Sequence, residues 1–315
     1  MSSNGGSGGG EPLLAIVGPT ACGKTEAALE LAASLGAEVI SVDSMLVYRG
    51  MDIGTAKPTP AERARVPHHL VDVADPEERF SVARYQSLAI EAVEEIRRRG
   101  RRVLLAGGSG LYYRAVVDRL EFPGTDPGIR AELEAEASVV GGIPLYARLG
   151  ALDPPAAAKI EPANVRRTVR ALEVAAITGR PFSAFSEAWD AYPEGRVVAA
   201  GIELDGETLD RRVRQRVSRM LDLGFADEVR GLLDRGLGRW LTASQAIGYL
   251  EMARHLEGAL SLEEAVAGTV KRTKALARRQ MAWFRRDPRV RWFAAGPGGA
   301  AGLAADLRSY LRGQR

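Results

Sequence analysis

The chain has 315 residues, of which 46% are hydrophobic and 26% charged; this is an ordinary globular balance over a length beyond one average domain. Its 43 basic and 40 acidic residues leave a net charge of only +3, so bulk charge does not mark a nucleic-acid binder and charge clustering has to be read instead. The single cysteine, Cys22, excludes an intrachain disulfide and a cysteine-cluster zinc site, no apolar run approaches the roughly 18 residues that span a bilayer, and a reducing cytoplasm suits such a chain.

The opening MSSNGGSGGG has neither the charged nor the apolar region of a signal peptide and reads as a disordered tail over residues 1–10. Leu13 to Val17 is a continuous apolar run stopping at Gly18, the pattern of a buried parallel strand. Ala28, Leu31, Ala32 and Leu35 predict a helix from Lys24, stopped by Gly36. Val39 to Val42 is a second strand, ending at Asp43. Ser81 to Arg99 is an amphipathic helix with arginines in its last turn, and Val103 to Ala106 is a third strand, followed by Gly107, Gly108 and Ser109. This alternation predicts an α/β fold with a parallel sheet covered on both faces. From about Asp118 to Arg196 the pattern is helices and turns without a strand. Val197 to Leu204 then restores the strand signal. A helical block over 118–196 is therefore expected as an insertion into a core formed by 11–117 and 197–294. Further helices are predicted at Glu207 to Leu223, Ala226 to Arg235, Ser244 to Leu256 and Leu262 to Arg286. A strand at Val290 to Phe293 precedes a Gly/Ala-rich linker and short helix over 295–315.

GPTACGKT, residues 18–25, satisfies G-x-x-x-x-G-K-[ST] between a strand and a helix, the context that motif requires. Its glycines let successive backbone N–H groups converge on phosphate oxygens at a helix N-terminus. Lys24 adds a point charge, and the Thr25 hydroxyl is a candidate ligand for a magnesium ion bridging the phosphates. Cys22 occupies a variable position and reads as a small residue, not a nucleophile. Hydrolytic P-loop enzymes end another strand on a magnesium-positioning aspartate. Here the third strand ends in Gly107, Gly108 and Ser109, which counts against a motor-type ATPase and leaves a small-molecule kinase open. Asp43 stands at a strand end, where ligands bind in open α/β sheets; from position alone it is either a general base or a turn-capping aspartate. Ser109 is either a hydrogen-bond donor into the same cleft or a turn serine. His68 and His69 are expected to be structural. Lys271, Arg278 and Arg285 repeat every seven residues, as do Arg272, Arg279 and Arg286, with Lys274 nearby; Val270, Met281 and Trp283 are candidates for the packed side of that helix. Arg166, Arg167 and Arg170 form a second basic patch. By themselves both patches read as solvated helix faces.

Taken in order from about residue 13 to 293, the segments GPTACGKT, VISVDSMLVYRGMDIGTAKP, VPHHLVDVADP, LLAGGSGLYYRA, NVRRTVRALEV, LDLGFADEVRGLL, SQAIGYLE and ARRQMAWFRRD resemble those of bacterial tRNA dimethylallyltransferases. The resemblance implies a P-loop NTPase-like parallel sheet core with an inserted all-helical tRNA-binding domain. It implies transfer of a dimethylallyl group from its diphosphate to N6 of adenine 37 of tRNA, just 3′ of the anticodon, with Mg2+ present. Carried over residue by residue, Asp43 is the general base, and Ser109 stands where the family has threonine, keeping the hydroxyl and losing the methyl. The diphosphate falls to Gly18, Thr20, Ala21, Cys22, Gly23, Lys24 and Thr25, with Arg216 reaching it and Arg212 the second choice. The tRNA contacts fall on Asp43, Ser44, Met45, Leu46, Ser109, Arg130, Arg166, Arg167, Thr168, Val169 and Arg170, and Leu46 replaces a glutamine common in the family. Both basic patches then become grips on tRNA phosphates. A cytoplasmic monomer binding tRNA and dimethylallyl diphosphate, without a membrane, is the expected working form. Two rivals are a P-loop kinase with Asp43 as base, and a non-catalytic RNA-binding protein using the P-loop as a nucleotide switch.

Overall fold

The computed structural model describes residues 11–185, 189 and 191–313; the tail expected over 1–10 lies outside the described residues. The chain divides into two compact units, one made of Met1–Val117 with Pro193–Arg315 and the other of Asp118–Tyr192.

The first unit is built on six parallel strands: β1 (Leu13–Val17), β2 (Ala37–Val42), β3 (His68–His69), β4 (Arg102–Gly107), β5 (Val197–Glu203) and β6 (Val290–Ala294), in the order β3-β2-β4-β1-β5-β6. Because strand side chains alternate between faces, Leu13, Ala15 and Val17 enter one core while Leu14 and Ile16 enter the other. The central strands are apolar throughout because both faces are covered. Helices α1 (Lys24–Leu35) and α13 (Ala304–Leu311) cover one face through Leu31, Leu35, Leu307 and Leu311. The other face carries α3 (Val82–Arg98), α4 (Gly110–Val117), α10 (Phe225–Asp234) and α11 (Tyr249–Leu256). Helix α2 (Pro60–Arg65) precedes β3, and α9 (Gly206–Asp222) packs on α12 (Leu262–Phe284) through Val213, Val217 and Val270. Each buried Leu, Ile or Val in these layers contributes about 1.5–3 kcal/mol of transfer free energy. A Ser261–Glu264 capping box starts α12, which suits so long a helix carrying many cations.

Four details differ from the sequence pattern. The two-residue β3 was not expected; it pairs with β2 through Val39 and Ile40, and His69 is bonded to the buried Glu38 at 2.7 Å. The helix expected over Ser244 to Leu256 is broken, because Gly248 adopts φ +96° and only Tyr249–Leu256 continues as α-helix. The short helix expected within 295–315 is present as α13, but the pattern did not indicate that Ala300, Leu307 and Leu311 are fully or nearly fully buried against α1. Trp283 packs its ring against Gly110 of α4 yet stays 36% exposed, and the buried side of α12 is carried by Val270, Ala277, Gln280 and Phe284.

The second unit holds α5 (Pro127–Val140), α6 (Gly142–Leu152), α7 (Pro154–Lys159) and α8 (Val165–Thr178), with no strand among the described residues. Asp126-Pro127 and Asp153-Pro154 start two of them as cap and first helical residue. Leu145, Leu149, Ile160, Val169 and Leu172 form its own core.

Candidate active site

Strands β1, β2 and β4 end level with one another, for Val17 and Val42 are both in register with Gly107. The segments that follow them therefore emerge side by side at the carboxyl edge of the sheet: the Gly18–Gly23 loop, Asp43-Ser44, and Gly108-Ser109. A cleft of about 420 Å³ opens there, with Thr20, Asp43, Ser44, Met45, Gly108, Ser109 and Arg216 on its walls. One face of α12 forms a further wall, through Thr269, Arg272, Thr273, Leu276, Arg279 and Gln280.

The phosphate loop passes through left-handed backbone at Ala21 (φ +65°) and Gly23 (φ +93°), the change of hand that curls successive N–H groups around an anion. The loop is braced by distant residues. Arg212 Nε donates to the Ala21 carbonyl at 2.8 Å, and the Ala300 N–H donates to the Cys22 carbonyl at 3.2 Å. The Thr20 N–H donates to Gln280 Oε1 at 2.8 Å. Lys24 Nζ lies over the loop, donating to the Pro19 carbonyl at 2.5 Å. Cys22 is fully buried, so its part in the loop is that of backbone and filler. The exposed Thr25 hydroxyl stands at the start of α1. No group of three or more His, Cys, Asp or Glu among the described residues could hold a metal ion. Of the loop's two hydroxyls, Thr20 Oγ1 accepts from Arg216, so Thr25 would be the loop's ligand, a sparse set that fits magnesium keeping its waters and sharing substrate phosphates.

Arg216 reaches the cleft from α9, its Nη1 donating to Thr20 Oγ1 and its Nη2 to the Thr55 carbonyl, both at 3.1 Å. Burial pushes its guanidinium down from the usual value, and the negative charge of Asp43 opposes that shift; an arginine stays charged regardless. Of the two candidate arginines, Arg216 lines the cleft, whereas Arg212 supports loop backbone.

Asp43 is half-buried and accepts the Met45 N–H on Oδ1 at 2.8 Å, leaving Oδ2 toward other partners. Burial pushes the Tyr85 and Tyr112 phenols up, and the Asp43 charge adds to both shifts, so both neighbours remain neutral. The Ser109 N–H donates to the Val42 carbonyl at 3.0 Å, and its hydroxyl accepts the Tyr112 N–H at the start of α4. Gly107 is required beside it: a Cβ there would stand 2.4 Å from the Val42 carbonyl oxygen. The strand end that in hydrolytic P-loop proteins carries an acid has no room for any side chain at this position.

The predicted RNA contacts divide. Asp43, Ser44, Met45 and Ser109 meet in the cleft; Leu46 is not on its walls, and its carbonyl accepts the Asp72 N–H. In the second unit Arg166 and Arg167 are exposed. Thr168 and Val169 are corrected: at 0% and 3% exposure they pack inward, and the Thr168 hydroxyl bonds the Asn164 carbonyl. Arg130 and Arg170 converge on the wholly buried carboxylate of Glu173, at 2.5 and 2.8 Å, and Arg170 also donates to the Pro123 and Gly124 carbonyls. Burial would raise the Glu173 carboxyl, but hydrogen bonds from the two arginines and the Asp126 N–H outweigh it and hold the group below its usual value.

The α12 cations divide as well. Arg272 pairs with Glu251 and Arg285 with Glu203. Lys271 and Arg278, together with Arg214 of α9, are exposed and line a groove of about 300 Å³; Lys274 joins them while paired with Asp210. Sequence reading missed Gln280 and Thr55 as members of the site. The one available signal was a lone amide, Gln280, set among arginines in ARRQMAWFRRD.

Fold and site together define a P-loop α/β protein whose phosphate cleft also presents a carboxylate and a hydroxyl. Residues 46–287 match the family described as IPP transferase. A tRNA dimethylallyltransferase of Salinispora arenicola is 51% identical over 300 residues, covering 95% of this chain and 86% of the relative. A solved tRNA isopentenylpyrophosphate transferase from Bacillus halodurans superposes with a TM-score of 0.68 at 41% identity, covering 97% of this chain and 98% of that one. A eukaryotic dimethylallyltransferase acting on tRNA superposes with a TM-score of 0.78 at 25% identity, over 95% and 78% of the two chains. The chain belongs to the IPP transferase family.

Proposed function

We propose that this protein is a tRNA dimethylallyltransferase, moving the dimethylallyl group of dimethylallyl diphosphate to N6 of the adenine 3′ of the tRNA anticodon. The observation that carries the reading is the meeting of phosphate loop, Arg216, Asp43 and Ser109 in one cleft beside a strand end that carries no acid and has no room for one at Gly107. No water has to be aligned on a terminal phosphate if the diphosphate leaves whole.

The N6 nitrogen attacks the prenyl C1, the C1–O bond breaks, and its electron pair departs with diphosphate. An exocyclic adenine amine is a weak nucleophile, so Asp43 accepts its proton as the new C–N bond forms. Charge growing on the leaving oxygen is met by loop N–H groups, Lys24 and Arg216. Ser109 donates a hydrogen bond to the base, which has left its stack to enter the cleft. Thr25 would hold a magnesium ion, which when bound neutralises diphosphate charge. Arg166, Arg167 and the unpaired cations of the α9–α12 groove meet tRNA phosphates and orient the RNA without reading its sequence. The RNA substrate supports a cytoplasmic site of action.

The deciding test supplies purified protein with magnesium, labelled dimethylallyl diphosphate and unmodified tRNA, with ATP in a parallel reaction. Label is expected in RNA at the adenine beside the anticodon. ATP turnover without transfer of label would favour the kinase and remove this reading.

A further inference from the structure

We infer that Glu228, on the first turns of α10, is a positioning residue that sets Arg216 for the diphosphate by pinning the turn whose carbonyl Arg216 holds. Both oxygens of the carboxylate are committed to that turn and its seat. Oε2 accepts the N–H groups of Asp52 and Ile53 at 2.9 and 2.7 Å. Oε1 accepts the Gly54 N–H at 3.1 Å and the Tyr249 hydroxyl at 2.7 Å. Three consecutive backbone donors on one carboxylate leave the turn little freedom to rotate, and each such bond is stronger for its charge. The next residue, Thr55, presents its carbonyl to Arg216 Nη2, while Nη1 of the same guanidinium donates to Thr20 of the phosphate loop. An unbroken chain of bonds thus runs from α10 through the 52–55 turn to the group that faces the diphosphate.

The far end of the turn is fixed independently. The buried Lys57 ammonium donates to the Tyr48 carbonyl, Asp52 Oδ1 and Asp72 Oδ1, at 2.5–2.6 Å. The turn is also seated without slack: a Cβ on Gly54 would fall 2.4 Å from Phe225 and 2.5 Å from Tyr249. With both ends anchored, the Thr55 carbonyl is a fixed acceptor, and Arg216 is held by two acceptors at a defined separation. A guanidinium oriented before the substrate arrives loses less rotamer freedom on binding it. Glu228 touches no reacting atom, so its effect has to pass through Arg216.

The inference rests on Arg216 being a diphosphate ligand, and a double-mutant cycle in the full chain separates the two. The probe is inorganic diphosphate with magnesium, titrated calorimetrically against wild type, Glu228→Gln, Glu228→Asp, Arg216→Ala and Glu228→Gln/Arg216→Ala, with tRNA affinity and melting temperature recorded for each. Glu228→Gln keeps the volume but turns an amide NH2 toward backbone donors, and is expected to weaken diphosphate binding roughly tenfold. Glu228→Asp retains the charge and should recover part of that loss, while tRNA affinity stays unchanged in both. On the Arg216→Ala background the Gln substitution should cost less than about twofold, because coupled residues are not additive. Full diphosphate affinity in folded Glu228→Gln, a loss that multiplies with that of Arg216→Ala, or an equal loss of tRNA affinity would each overturn the inference while leaving Arg216 in its role. Full affinity in Arg216→Ala would instead remove Arg216 from the diphosphate, and the coupling would fall with it.

Discussion

The phosphate cleft and the basic helix α8 both draw on clusters of cations that stand out in the sequence, yet they use them differently. Around the cleft, Arg216 is held by a hydroxyl and a carbonyl, neutral acceptors that leave its charge available for an anion. In the second unit, Arg130 and Arg170 are consumed by Glu173, a fully buried carboxylate that they neutralise. A basic patch is therefore not one object: only Arg166 and Arg167 of its members offer exposed charge. The same division recurs along α12, where Arg272 and Arg285 are paired and Lys271 and Arg278 are not.

The contrast is broken most severely at the cleft. Asp43→Ala should lower the single-turnover transfer rate by about 10²–10⁴-fold while tRNA affinity in filter binding is retained; a parallel loss of binding would make the carboxylate an RNA contact and not a base. In the second unit, Glu173→Ala strands two arginines against a buried site and should destabilise that unit by about 3–5 kcal/mol, read as early protease cleavage within 118–192 with diphosphate affinity intact. Because the Glu173 carboxyl is held below its ordinary value of 4.5, its contribution is complete above that pH and is lost as the pH falls through the depressed folded value. Acid unfolding of the second unit should accordingly flatten in Glu173→Gln.

Arg166→Ala combined with Arg167→Ala should weaken tRNA binding and reduce the slope of log affinity against log salt by about one for each phosphate that is no longer neutralised. Arg170→Ala should instead lower the melting temperature and leave the slope of the folded fraction unchanged. An equal slope change in Arg170→Ala would show that its charge is not consumed by Glu173. The smallest effect is expected on α12, where Lys271→Ala should reduce the salt slope and Arg285→Ala, already paired with Glu203, should not.

Local features were legible in the sequence and long-range partnerships were not. GPTACGKT carries its geometry in its spacing, and Asp43 is marked by the end of an apolar run, because both depend on neighbours within a few residues. Gln280 lies 260 positions from Thr20, and Arg212 lies 191 from Ala21; no periodicity links them. Arg130 and Glu173 are 43 residues apart and on different helices, so nothing local marked their pairing, whereas Arg170 meets Glu173 within α8 itself. The two-residue β3 is too short to carry an alternation signal, and the break at Gly248 was masked by apolar neighbours that continue a helical spacing. The three backbone donors of Glu228 sit on a turn more than 170 residues earlier, a partnership that no local pattern marks.

The central claim is that carbon is transferred while the phosphates leave together, and it is tested most directly by one rapid-quench turnover. Dimethylallyl diphosphate carrying radiocarbon in the prenyl group and radiophosphorus in both phosphates is mixed with enzyme, magnesium and tRNA. The account predicts radiocarbon on N6 of the adenine beside the anticodon, matched one for one by intact labelled diphosphate in solution. Radiophosphorus in the RNA, or release of orthophosphate in place of diphosphate, would contradict it.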